Sequence, residues 1–402
     1  MPLGITAAST LVKTAPPPYE DAHDVNARQR QRPATPRIVV TYSLGATSHR
    51  DGHEMSTRRE IARRLAALMG CTDDGEYDPS RHAAAATYFV PSDTLTSDRA
   101  SRIGIRAEQD LFGGVVPHPF VATKTITHSL VDDRSQAPPG WCAEFPRRVA
   151  GVVLGGFSAF TKEDAVRAAH KLLVDGPVRV KVATGIAGHG QFVADSATVL
   201  AHELDAIDPQ EMARTGVVVE QNLTDVITYS VGQVRVADTV GTYYGTQHLT
   251  KNNHGAEVYG GSEIVVVPGD FEALLALRLA EDVRIAIAQA RAYDEAASQC
   301  FDGFYASRRN YDVAQGRDAS GRRRSGVLEQ SWRAGGASGA EIGALEAFRA
   351  DPSLTAVRAI TREVYGEAPA LPTNAAVYFS GIDPHVGPLT KYAWTEPYAD
   401  AR

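Results

Sequence analysis

The chain reads as an α/β protein whose C-terminal part becomes α+β, and three features of the sequence predict this. Short apolar runs alternate with an amphipathic helical stretch near the N-terminus, the order that builds parallel sheets. A capped helix, a tight turn and an alternating strand then follow one another over 161–182. After residue 229, strand-like segments come in close succession with glycines between them, which favours antiparallel pairing. With 402 residues and 43% hydrophobic content, the chain is long enough for two or three domains with sizeable cores.

Composition narrows function by exclusion. A formal net charge of −7 argues for solubility and against general nucleic-acid binding. Cys71, Cys142 and Cys300 are far apart, odd in number and without metal-type spacing, so neither a disulfide framework nor a zinc knuckle is expected, and the compartment should be reducing. No apolar run reaches bilayer-spanning length and no secretory signal is visible. No membrane partner and a cytoplasmic location are therefore expected. Residues 1–36 carry Pro16, Pro17 and Pro18, then Arg28, Arg30 and Arg32, without apolar periodicity, and are expected to form a disordered tail.

Folded structure should begin with the apolar run 37–42 as a first strand. A helix over 58–69 places Ile61, Leu65 and Leu68 on one face and stops at Gly70. The run 87–90 is the next strand, and the Gly- and Pro-rich segment 103–120 a connector. A helix is expected to start at Phe120, with Lys124 near its N-terminal end opposing the helix dipole. Thr161 followed by Asp164 resembles a capping box, and Val166, Ala169, Leu172 and Leu173 then share a face before Asp175, Gly176 and Pro177 turn the chain.

Next, Val178, Val180 and Val182 alternate with Arg179 and Lys181, so a strand here buries one face and presents two cations on the other. Gly185, Gly188, His189 and Gly190 follow at once. Glycines free the backbone to bring N–H groups close to an anion, although an ordinary turn is the other reading. A valine strand from Val217 ends on Glu220, Gln221, Asn222 and Leu223, which offer edge hydrogen bonds and an apolar platform suited to a purine. Alternating strands over 229–236 and 239–244, a polar segment over 245–255, a strand over 264–267 and a long Ala-rich helix over 271–299 complete this region.

Asp312 and Glu329 lie on two runs joined by a basic, glycine-containing loop. Paired as a hairpin, these runs set the two carboxylates side by side. Like charges at that distance repel unless a cation sits between them, and such oxygen ligands suit Mg²⁺. In an extended strand Glu329, Ser331 and Arg333 point the same way. An ordinary hairpin neutralised by Arg322, Arg323 and Arg324 is the alternative.

In this order, Lys124, the strand lysine Lys181, the loop 185–190, the strand ending at Leu223, and Asp312 followed by Glu329, Ser331 and Arg333 resemble the ATP-grasp superfamily. More narrowly, the chain is similar to a proteobacterial group within it, some of whose members are labelled biotin carboxylase-like. The resemblance implies an ATP-grasp fold over 121–350, with a small subdomain at about 150–225, behind a preceding α/β domain at 37–120. It implies that Lys124 and Lys181 bind ATP phosphates, that the loop closes over them, and that Glu220, Gln221, Asn222 and Leu223 hold the adenine. Asp312, Glu329 and Ser331 would hold Mg²⁺, with Mn²⁺ as substitute, and Arg333 would meet the transferred group. Ser331 stands where the family usually has asparagine, which puts a second ion in question.

The implied activity is a carboxylate-amine or carboxylate-thiol ligase acting on small molecules; a nucleotide-binding protein without ligase activity is the alternative. After residue 338 two helices are expected, the second from Ser353 aligning Leu354, Val357, Ile360 and Val364. The Pro-rich end with Tyr378, Tyr392, Trp394 and Tyr398 should wrap over the nucleotide-binding part as core or as a homodimer contact.

Overall fold

The apolar strand Ile38–Tyr42 lies at the centre of a three-stranded parallel sheet, between Thr72–Glu76 and Thr87–Pro91. In this computed structural model residues 38–44, 52–83, 85–183 and 190–398 are described. The tail 1–36 and the loop residues Gly185, Gly188 and His189 fall outside them. Helix His53–Met69 covers the parallel sheet with Ile61, Leu65 and Leu68 buried. Gly70 caps that helix in the left-handed conformation at φ 68°, and its N–H reaches the carbonyls of Ala66 and Ala67.

An eight-stranded antiparallel sheet forms the main platform. Its order is Arg323–Ser331, Arg308–Arg317, Thr224–Val236, Thr239–Lys251, Glu257–Pro268, Val357–Tyr365, Gly387–Pro397 and Ala376–Asp383. Helix Glu281–Cys300 packs on one side of it, burying Ile287, Ala290 and Tyr293 with Tyr311 and Trp332. Helix Ser338–Ala350 packs on the other, where Ile342 and Leu345 join the core of the parallel sheet. A smaller sheet of four antiparallel strands runs Gly156–Ala159, Val217–Gln221, Val178–Val182, Gln191–Ala194. Helices Lys162–Leu172 and Ala197–Leu204 seal one of its faces. Among the described residues no helix is long and apolar enough to cross a membrane.

Several expected elements come out differently. No helix starts at Phe120: two short 3-10 turns, Pro119–Ala122 and Lys124–Ile126, flank Thr123, whose backbone is extended. The Thr123 hydroxyl accepts from the Thr125 N–H, the local competition by which threonine resists a continuous helix. The expected helix from Ser353 is instead the strand Val357–Tyr365, paired on both edges, because β-branched Val357, Ile360, Thr361 and Val364 fit a pleated surface. The C-terminal aromatic segment forms two strands of the large sheet, with Tyr378 and Tyr392 buried. The polar segment 245–255 is mostly strand, turning back only after Lys251. The long Ala-rich helix is two, Phe271–Leu275 and Glu281–Cys300.

Candidate functional site

Strand Val178–Val182 alternates as expected, with Val178 and Val180 buried against the two helices, yet Lys181 is not solvent-facing. It is 5% exposed, and its Nζ lies 2.5 Å from Glu220 Oε1 on the neighbouring strand. Glu220 is 1% exposed, and its Oε2 meets His128 Nε2 at 3.3 Å. Burial alone would raise the Glu220 carboxyl, but the Lys181 charge and the His128 contact outweigh it and bring it down to about 2. The Glu220 side chain is therefore part of a buried ionic cluster rather than a free edge.

The strand end beside it is also partly engaged. The N–H groups of Gln221 and Asn222 donate to the carbonyls of Gly155 and Pro177, and the Asn222 side chain accepts from Arg179 at 3.0 Å. Gly190, with φ at 73°, closes the loop by accepting from the Val182 N–H, a conformation open to glycine at little cost.

Across the cleft, Asp312 and Glu329 stand opposite each other in antiparallel register. The register shifts directly after Asp312, so that Leu328 is skipped and the strand twists at the site. Asp312 Oδ1 accepts from Gln247 at 2.9 Å, Asn310 at 3.0 Å and Ser230 at 3.2 Å. Burial, and then the charge of Glu329, push the Asp312 carboxyl above its ordinary value. Lys124 reaches over so that its Nζ is 2.5 Å from Glu329 Oε2.

Ser331 Oγ accepts from Arg308 at 3.2 Å, and Arg308 also donates to the backbone carbonyls of Ser331 and Arg333. Arg308 is buried and grips Glu341 through Nε and a terminal nitrogen. The Tyr243 hydroxyl ties Glu341 to Asn310. Arg333 faces Asp93 at 3.5 Å.

One cleft of about 990 Å³ gathers these groups. Lys124, Lys181, Gly190, Glu220, Gln221 and Leu223 line it, as do Asp312, Glu329, Ser331 and Arg333. Asn222 is not in its lining. Among the described residues no group of three or more His, Cys, Asp or Glu could hold a metal, so the acids here are a pair. Reasoning from sequence missed His128, Arg308 and Asn310. Asn310 and Arg308 precede Asp312 by two and four positions, so the period of a strand already set them on its face. His128 carried no such signal.

The Glu220 cluster sets an acid limit. Its folded-state value lies below the ordinary 4.5, so its stabilising contribution is complete above pH 4.5 and drains away as the pH falls towards 2. Acid unfolding followed by circular dichroism should steepen in that window, and the Glu220→Gln, Lys181→Met double variant should lose that component.

Among solved structures, the chain is similar to carboxyaminoimidazole ribonucleotide synthase from Aspergillus clavatus complexed with ATP, at 13% identity and a TM-score of 0.47, covering 90% of this chain and 94% of that one. It is similar to phosphoribosylamine–glycine ligase from Thermotoga maritima at 14% and 0.47, covering 90% and 92%. The D-alanyl-alanine synthetase A of Vibrio cholerae matches at 10% and 0.42, covering 74% and 89%. These neighbours are ATP-grasp proteins. No curated protein matches the sequence. A family model matches residues 41–393, and the chain accordingly belongs to DUF3182, the family described as a protein of unknown function.

Proposed function

We propose that the chain is an ATP- and Mg²⁺-dependent ligase that phosphorylates a small-molecule carboxylate and passes the acyl group to an amine or similar nucleophile. The observation that supports this is the cleft lined by Lys124, Lys181 and Arg333 together with the in-register pair Asp312 and Glu329. A carboxylate oxygen attacks the terminal phosphorus of ATP as the bond to ADP breaks. The nucleophile's lone pair then attacks the acyl carbon, phosphate leaves with the bonding electrons, and the nucleophile's proton passes to water.

Both steps bring anions together, and the residues' task is to hold them in line. Lys124 and Lys181 bind the phosphates. Glu220, Gln221 and Leu223 form the adenine end, with Leu223 as its apolar contact, and Arg333 orients the transferred group. The acid pair fits a divalent ion, because Asp312 is pushed towards its protonated form by burial and by its neighbour. Mg²⁺ ordinarily takes one or two carboxylates and completes its shell with water and phosphate oxygens. Held by Asp312 and Glu329, Mg²⁺ or Mn²⁺ supplies charge screening at the phosphates. Ser331 Oγ already accepts from Arg308, which favours a site for one ion.

One observation favours binding without reaction: Lys124 engages Glu329 directly, coupling the phosphate-side cation to an acid of the ion site. Thermal unfolding with ATP and Mg²⁺, read beside ADP release over pairs of carboxylates and amines, separates the readings. A ligase shows both a raised melting temperature and ADP. A shift with no ADP from any pair favours a binding protein, and no shift at millimolar ATP rejects both.

A further inference from the structure

We propose that the end of this cleft beside the parallel sheet is an oxyanion subsite, in which Arg58 and Thr57 hold a carboxylate or phosphate group of the substrate. It deepens the ligase reading, on which it rests only for the role of the molecule bound. Helix His53–Met69 starts at Gly52 without a side-chain cap, and His53, Thr57 and Arg58 of its first turns line the cleft. Leu44, Ser92 and Asp93, just beyond the carboxyl ends of strands Ile38–Tyr42 and Thr87–Pro91, line it too. Ligands of open parallel sheets bind at that edge.

Arg58 is the unusual group. It is 8% exposed, yet among the described residues it forms no ion pair. One terminal nitrogen donates to Ser43 Oγ at 3.1 Å and touches Met55 Sδ at 3.5 Å, while its buried Nε has no hydrogen-bond partner. The Thr57 hydroxyl is likewise buried without a partner. Two orphaned polar groups on adjacent residues of one cleft wall are costly unless something completes them.

Glu76 and Glu54 act on Arg58 through their charge, but among the described residues neither reaches it as an ion pair. Glu76 accepts from the Thr41 hydroxyl and the Ser43 N–H, and Asp93 faces Arg333. Lys391, also on the wall, is balanced by Glu363 at 2.8 Å and sits 3.3 Å from His53 Nδ1. Among the described residues Arg58 is thus a buried cation of this end without a contacting carboxylate. A guanidinium presents parallel N–H groups that match the two oxygens of a carboxylate or phosphate, and a hydroxyl beside it can donate to the same anion.

The test is thermal unfolding of the full chain in inorganic phosphate and in succinate, against chloride of equal ionic strength. The wild type should melt about 1–3 °C higher in at least one oxyanion, and the larger shift tells phosphate from carboxylate. Arg58→Met should abolish the shift while melting no lower than wild type in chloride, because an unmatched buried charge has been replaced by an apolar chain. Arg58→Lys should keep part of it. Absence of any shift in the wild type or an undiminished shift in Arg58→Met overturns the proposal. If Arg58→Met does not fold, Thr57→Val decides, a reduced shift supporting the subsite and an unchanged one rejecting it. ATP added in the same series keeps the two readings apart. An Arg58-dependent oxyanion shift without an ATP shift rejects only the nucleotide reading, and the reverse rejects only the subsite.

Discussion

Replacing Lys181 by methionine should lower the unfolding free energy by about 3–5 kcal/mol, because it strands a buried carboxylate without its cation. On the proposed ligase reading the change also removes a phosphate contact, so ATP binding and stability should fall together. Glu220→Gln added to Lys181→Met should recover most of the stability and none of the nucleotide affinity, since the desolvated charge is gone but the ammonium is not restored. Denaturant unfolding of the two single variants and the double variant gives the coupling energy. Additive losses would mean that Lys181 and Glu220 do not interact as their 2.5 Å separation requires.

A second large effect is expected at the paired acids, with the opposite sign for stability. Asp312→Asn keeps an acceptor oxygen for Gln247, Asn310 and Ser230 while removing a like charge facing Glu329. Without divalent ions it should stabilise the fold by roughly 0.2–1 kcal/mol, the range for relieving a repulsive cross-strand pair. Because the folded-state value of Asp312 is raised, its ionisation works against the fold as the pH rises, and the variant should remove that dependence. Glu329→Gln and Asp312→Asn should each cut ADP formation about 100-fold or more, since even outer partners of metal ligands are worth 10–100-fold. Wild-type turnover in either variant would remove that residue from the ion site.

What could be read ahead of the structure was whatever depends on neighbours in sequence. The alternation of Val178, Arg179, Val180, Lys181 and Val182 defines a strand by itself, and the hairpin joining Asp312 to Glu329 needs only a short loop. The strands Val357–Tyr365 and Ala376–Asp383 were not legible in this way. They take their places in the large sheet only through Glu257–Pro268 and Gly387–Pro397, and the apolar spacing of Leu354, Val357, Ile360 and Val364 matches a helix as well as a strand. At the site the same division holds. Lys181 could be found from its strand, but its burial beneath Glu220 and His128 depends on a contact with a segment more than fifty positions upstream.

Arg308 has a mechanical consequence. It staples the carbonyls of Ser331 and Arg333 to Glu341 on helix Ser338–Ala350, which is itself wedged between two cores. The floor that carries the acids is thereby anchored, whereas Lys181 stands on a separate four-stranded jaw. Closure on a ligand is expected from that jaw, so spectroscopic labels should report approach between the Lys181 strand and the Asp312 strand while the spacing between Ser331 and Glu341 stays constant.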